Sequence, residues 1–233
     1  MIEYLLGLFK SISWASVSGI VFGAIISAIV SYALQKNSFA EAQRQKEKDR
    51  FEVRKALGLS LIFKMVRIAS ELHQLGTAVK ECLERARNAG LRGSPFQAVS
   101  SIIPLPDSIH FSPDEMALLL SIDNVLFNEL ASLDQLHNST VAIFDTYNVR
   151  RNVVLERLGA EMNGHIGITM LTLEQKRWLG PRAVELDDLV KVMVQRTDRD
   201  SKEVGAVLEK LQAVISKEFK MNLRFEKKPG VGG

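Results

Sequence analysis

Between Ser11 and Gln35 no acidic or basic side chain occurs, and the positions in between are overwhelmingly apolar or small. The apolar core of this run, Trp14 to Leu34, would rise ~30 Å as an α-helix, the thickness of the hydrocarbon layer of a bilayer. Trp14 and Tyr32 stand near its two ends, where amphipathic rings favour the headgroup region. A cleaved signal peptide carries a basic lead-in and an apolar stretch of only ~7–15 residues; this run has neither feature. The pattern therefore predicts a short extracytoplasmic N-terminus over 1–13 and a transmembrane helix over 14–35.

Past Gln35 the pattern becomes polar, and then apolar residues return with helical spacing. Leu61, Met65, Ile68, Leu72, Leu75, Val79, Cys82 and Ala86 alternate steps of four and three, the a/d seam of a heptad repeat. Leu57, Ile62, Phe63, Val66 and Leu83 widen that seam beyond a two-stranded zipper, which favours an intramolecular bundle over a free coiled coil. Residues 36–88 thus read as a charged stalk and a first long helix. Residues 89–112, with Gly90, Gly93, Pro95, Pro104 and Pro106, read as an extended connection.

Residues 113–225 read as a helical bundle. Ser112, Pro113, Asp114 and Glu115 form a helix start, and Asp123 stands where a cap would restart the helix. From there to Leu158 no Gly or Pro intervenes, which predicts one long helix, the alternative being a hairpin turning near Asn138-Ser139. Gly159 to Thr169 reads as a loop, Thr172 with Gln175 as a capping box, and Gly180-Pro181 as a kink or break in the helix that follows. A last apolar face runs from Val204 to Phe219, and 226–233 reads as a flexible tail. No stretch sustains the period-two alternation of a strand. The expected fold class is all-α: a single N-terminal transmembrane helix continuing into a cytoplasmic helical bundle with long, coiled-coil-like helices.

Charge placement sets the expected orientation. Lys36, Arg44, Lys46, Lys48, Arg50, Arg54 and Lys55 face Glu41, Glu47, Asp49 and Glu52, seven against four, so this segment alone matches the +3 of the whole chain. Basic residues flanking a span stay on the cytoplasmic side, which predicts a single-pass protein of the inner (plasma) membrane with its N-terminus outside and its body in the cytoplasm. Lys36, Arg44, Lys46, Lys48 and Arg50 lie close enough to the span to meet anionic lipid headgroups, although a solvated helix face accounts for most such residues. A second basic excess lies at Lys217, Lys220, Arg224, Lys227 and Lys228. The small net charge and its membrane-proximal placement argue against a nucleic-acid partner.

Within the span, Ala15, Gly19, Gly23, Ser27 and Ser31 recur at every fourth position. Such a stripe lets two helix backbones approach closely and cross with a right-handed angle, which predicts a homo-oligomer. Small residues are also common in membrane helices that do not pair.

Candidate chemistry is sparse. Cys82, the only cysteine, excludes an intrachain disulfide and a cysteine-based zinc site. Gly159 to Ile166 has the glycine spacing of a phosphate loop but lacks its Lys and Ser/Thr. Asp134 and His137 lie one turn apart, half of the motif a di-metal bundle needs, so no metal site and no cofactor is expected. An enzyme built from scattered residues would use Asp134, His137 and Arg151 first. The expectation is a non-enzymatic membrane-anchored scaffold or adaptor that self-associates or docks a second protein. The alternative is a membrane-acting effector or toxin that oligomerises through its span and perturbs the bilayer. Anchor, stalk and bundle recur in many unrelated proteins, so the layout alone transfers no function.

Overall fold

The computed structural model describes residues 14–91, 93–159, 162–163, 166–167 and 171–223, with the side chains of 14–26, 29, 33, 162–163 and 166–167 left aside. The expected N-terminus 1–13, the tail 226–233, the basic residues Arg224, Lys227 and Lys228, and Gly164 and His165 of the glycine loop lie outside the described residues. The elements are α1 (Trp14–Asn88), α2 (Pro95–Ala98), α3 (Pro113–Ile122), α4 (Asn124–Leu158), β1 (Met162–Asn163), β2 (Ile166–Gly167) and α5 (Leu173–Glu218). Two strands of two residues pair antiparallel, Met162 opposite Gly167; the architecture is otherwise all-helical.

The chain divides into two units, Met1–Arg54 and Lys55–Gly233, and the division falls within α1. In the first unit every described side chain from Ser27 to Arg54 is exposed, including Val30, Tyr32, Leu34 and Phe39. Among the described residues no helix is long and apolar enough to cross a membrane. Most side chains of the expected span, 14–35, lie outside that description, so the span stays an inference from the sequence.

The second unit is a bundle of three long helices with two apolar clusters along its axis. One joins Leu61, Met65, Ile68 and Leu72 of α1 to Leu126, Leu130 and Leu133 of α4 and to Val204, Leu211 and Ile215 of α5. The other joins Leu75, Val79 and Cys82 to Phe144, Tyr147 and Val154 and to Leu186, Val190 and Met193. Rising numbers in α1 thus meet rising numbers in α4 and falling numbers in α5. The first two helices run parallel and the third runs against them.

That topology explains the long connection. Two parallel helices cannot be joined by a short turn, so the chain after Asn88 must travel back along the bundle before α4 begins. On the way Phe96 and Val99 pack into the second cluster and Ile109, Leu118 and Leu119 into the first. The irregular segment 99–111, here called the strap, and helix α3 together make the fourth wall of the bundle.

The helix starts follow from local chemistry. Ser112 and Glu115 form a reciprocal capping box at α3, with Pro113 at the first helical position. Asp123 accepts the N–H groups of Val125 and Leu126, each at 3.0 Å, and caps α4. Thr172 and Gln175 close the predicted capping box at α5. Helix α4 is continuous, so no hairpin forms at Asn138-Ser139. Helix α5 is not broken at Gly180-Pro181 either; Pro181 lies inside it, and the burial of Leu186, Val190 and Met193 just beyond anchors the helix to the core.

Two glycines of α1 face α5 and its C-terminal cap closely. A methyl group at Gly58 would lie 3.0 Å from the Phe219 ring, and one at Gly76 would lie 3.0 Å from Thr197 Oγ1. Gly58 lies one turn before the seam and Gly76 within it, and a side chain at either would require its neighbour on the facing helix to shift.

Candidate functional site

The two apolar clusters are separated by a layer of buried polar groups. On α4, His137 and Thr140 occupy the inward positions between Leu133 and Phe144, and neither is exposed at all. On α5, Thr197 and Asp200 do the same between Met193 and Val204. Glu71 reaches the layer from α1, and Gly76 admits the Thr197 side chain. Burying these groups is tolerable only if each finds a partner.

They do. His137 Nε2 lies 2.9 Å from Glu71 Oε2, and Glu71 Oε1 accepts Arg67 Nε at 2.7 Å. That hydrogen bond and the Glu71 charge push the Arg67 guanidinium further above its already high range. Thr140 Oγ1 donates to Asp200 Oδ2 at 2.8 Å, while Arg199 reaches Asp200 Oδ1 through Nε and Nη2, each at 2.9 Å. Thr197 Oγ1 donates back to the Met193 carbonyl at 2.9 Å. Arg67 and Arg199 carry the layer's charge out to the surface, with more than half of each side chain exposed.

A second set of polar groups holds the strap. An extended segment lying on a helix has no ladder to satisfy its backbone, so side chains must do so. Asn138 accepts the Ile109 N–H at 3.1 Å and donates to the Ile109 carbonyl at 3.0 Å. Ten residues on, Asn148 repeats the arrangement at Ile102, at 3.1 and 2.9 Å. Tyr147 Oη donates its one proton to the Val99 carbonyl at 2.5 Å, with the Phe96 carbonyl 3.2 Å away. Asp187 Oδ1 accepts the Phe96 N–H at 2.9 Å, and Lys64 Nζ donates to the His110 carbonyl at 2.9 Å. Burial pushes the Tyr147 phenol well above its ordinary range, so it stays a neutral donor.

Glu115 ties α3 to α1. Its carboxylate accepts Ser60 Oγ at 2.6 Å, Lys64 Nζ at 2.7 Å and the Ser112 N–H at 2.6 Å. Burial alone would raise this carboxyl, but the hydrogen bonds from Lys64, Ser60 and Ser112 and the Lys64 charge outweigh it and hold Glu115 below the usual carboxylate range.

The residues singled out from the sequence fall in three places. Leu61, Met65, Ile68, Leu72, Leu75 and Val79 all lie in the bundle core, none more than 3% exposed. Lys36, Arg44, Lys46, Lys48 and Arg50 are exposed on α1, as are Ser27 and Ser31; the side chains of Ala15, Gly19 and Gly23 lie outside the description. Asp134, His137 and Arg151 do not converge. Asp134 Oδ1 turns to Asn138 and His110, at 3.0 and 3.1 Å, whereas His137 turns inward to Glu71. Arg151 lies fourteen residues further along α4, roughly 21 Å, buried one turn beyond Tyr147. Its Nε has no hydrogen-bond partner among the described residues. Among the described residues no three His, Cys, Asp or Glu side chains gather so as to hold a metal ion.

Sequence reasoning missed Glu71, Thr140, Asn148, Asp200 and the inward role of Glu115. One signal was present. Asn is a poor helix former, yet Asn138, Asn148 and Asn152 interrupt an otherwise strong helix, and all three bond to the strap or its flank. Set against known proteins, the chain matches no family model, no curated protein and no solved structure.

Proposed function

We propose that this chain is a membrane-anchored, non-enzymatic helical scaffold or adaptor. In this reading residues 14–35 cross the inner (plasma) membrane with the N-terminus outside, and the bundle docks a second protein at the cytoplasmic face. The observation that carries it is the uncharged run from Ser11 to Gln35, long enough for a bilayer and followed at once by a basic excess. The exposed apolar side chains of Val30, Tyr32 and Leu34 are of the kind a lipid-facing helix presents. Lys36, Arg44, Lys46, Lys48 and Arg50 are exposed and so free to meet anionic headgroups.

The bundle supports placing self-association in the span. Its heptad seam is covered by its own α4 and α5, which favours the stripe Ala15, Gly19, Gly23, Ser27 and Ser31 over the seam as the surface for a second copy. Thr197, Asp200, His137 and Glu71 make contacts inside the fold, as structural polar groups do.

The test is fractionation of the full chain expressed in bacterial cells. The protein should stay with the membrane through an alkaline carbonate wash, and Gly19→Leu with Gly23→Leu should abolish span-to-span crosslinking while leaving it in the membrane. Release of the wild type into the wash would overturn the anchor; crosslinking that survives both substitutions would overturn the stripe. Collapse of the membrane potential on expression would instead favour the bilayer-perturbing effector.

A further inference from the structure

Both ring nitrogens of His137 face acceptors. Nε2 lies 2.9 Å from Glu71 Oε2, and Nδ1 lies 3.1 Å from Asn138 Oδ1. Asn138 cannot turn to offer its amide instead. Its Oδ1 already receives the Ile109 N–H at 3.1 Å, and its two Nδ2 hydrogens go to the Ile109 carbonyl and to Asp134 Oδ1, each at 3.0 Å. A neutral imidazole has one N–H and one lone pair, so at one of these two contacts a lone pair would oppose an oxygen. Glu71 could relieve the conflict by carrying a proton on Oε2, but Arg67 opposes that, because its Nε donates to Glu71 Oε1 at 2.7 Å and favours the carboxylate.

We propose that the His137 ring is held in the native bundle with both nitrogens protonated, locked between Glu71 and Asn138, and that this proton is a latch fastening the strap at Ile109. The surrounding charged and titratable groups fit. From α1 come Glu71 and Arg67, and from the strap Asp107, 3.8 Å from Arg67, and His110. From α4 comes Asp134, engaged by Asn138 and His110; from α5 comes Asp200, engaged by Thr140 and Arg199. The carboxylate that meets the ring itself is Glu71. When the ring loses a proton, a lone pair is set against either Glu71 or Asn138. In the second case Asn138 must swing away, and Ile109 loses both of its bonds at once. The matching clasp of Asn148 on Ile102 does not touch the ring and stays closed.

The experiment uses the full chain, 15N-labelled, in detergent micelles, with ring signals assigned against His73→Gln, His110→Gln and His165→Gln. At neutral pH the His137 ring should show two protonated nitrogens; a single protonated nitrogen overturns the proposal. As the pH is raised through the loss of that proton, the ratio of amide exchange rates Ile109 to Ile102 should rise by about tenfold, since the base catalysis common to both cancels in the ratio. A flat ratio while the ring titrates overturns the latch. Glu71→Gln should leave one ring proton at neutral pH and an already raised ratio; a ring still doubly protonated in that variant would remove Glu71 from the mechanism.

Discussion

The two ends of the bundle close their fourth side differently. Over the first cluster the wall is chiefly a helix, α3, which contributes Leu118 and Leu119, with Ile109 from the end of the strap beside it. A helix bonds its own backbone, so α3 needs help mainly at its start, and Ser112 and Glu115 supply it. Over the second cluster the wall is the four-residue helix α2 and the start of the strap, which contribute Phe96 and Val99. The strap's carbonyls and N–H groups need partners from elsewhere, and Tyr147 and Asn148 reach out from α4 to bond them, while Asp187 of α5 accepts the Phe96 N–H at the start of α2. The same core can thus be covered by either kind of wall. What changes is what the hydrogen-bonding side chains beneath it meet: Ser60 and Lys64 meet a side chain of α3, Glu115, whereas Tyr147 and Asn148 meet the backbone of the strap.

The largest effect should come from opening a cavity under the helical wall. Leu130 is fully buried in the first cluster, and Leu130→Ala should cost ~2–5 kcal/mol in the unfolding free energy measured by chemical denaturation. A cost under ~1 kcal/mol would mean that this end is loosely packed and the contrast with the other end misplaced. Next is the strap. Asn148→Ala removes both partners of Ile102 and should cost about 2 kcal/mol, together with faster proteolytic nicking within 99–111. Unchanged nicking would show that the clasp does not hold the strap.

The smallest effect at neutral pH should come from the cap of α3, and there the signature is a slope. Glu115 sits below the usual carboxylate range when folded, so its contribution to stability is fully present above the ordinary range of about pH 4 and fades as the pH falls through its lowered value. Glu115→Gln should therefore lower stability by a constant amount at and above neutrality and flatten the acid limb, so that the two curves converge as the pH falls. Parallel wild-type and variant curves would rule out Glu115 as a source of the acid sensitivity.

The parts of the fold that obey a local rule were legible in the residues. The seam from Leu61 to Val79 marks a buried helix face because 3.5-residue spacing admits few other readings, and it lies in the core. The caps at Ser112, Asp123 and Thr172 were legible because a capping side chain and its N–H targets are neighbours in the chain. At Pro181 the expected break does not occur, because a proline's local penalty is set against burial contributed by distant residues.

The candidate site was not legible for the same reason. Glu71 and His137 are 66 residues apart, Thr140 and Asp200 are 60 apart, and no spacing rule links them. Asp134 and His137 share a helix face in sequence terms, yet one turns to the strap and the other to the core once α1 packs against α4.

By itself the sequence determined the helical class, the caps, the core-facing seam and an uncharged segment of membrane length, because each is written in the spacing of near neighbours. Only the tertiary structure decided that α1 and α4 run parallel, that the chain between them becomes a wall, and that His137 lies with both nitrogens against acceptors. Those facts depend on which distant surfaces bury each other, and burial is what turns an ordinary Asn, Glu or His into a group that must find a partner.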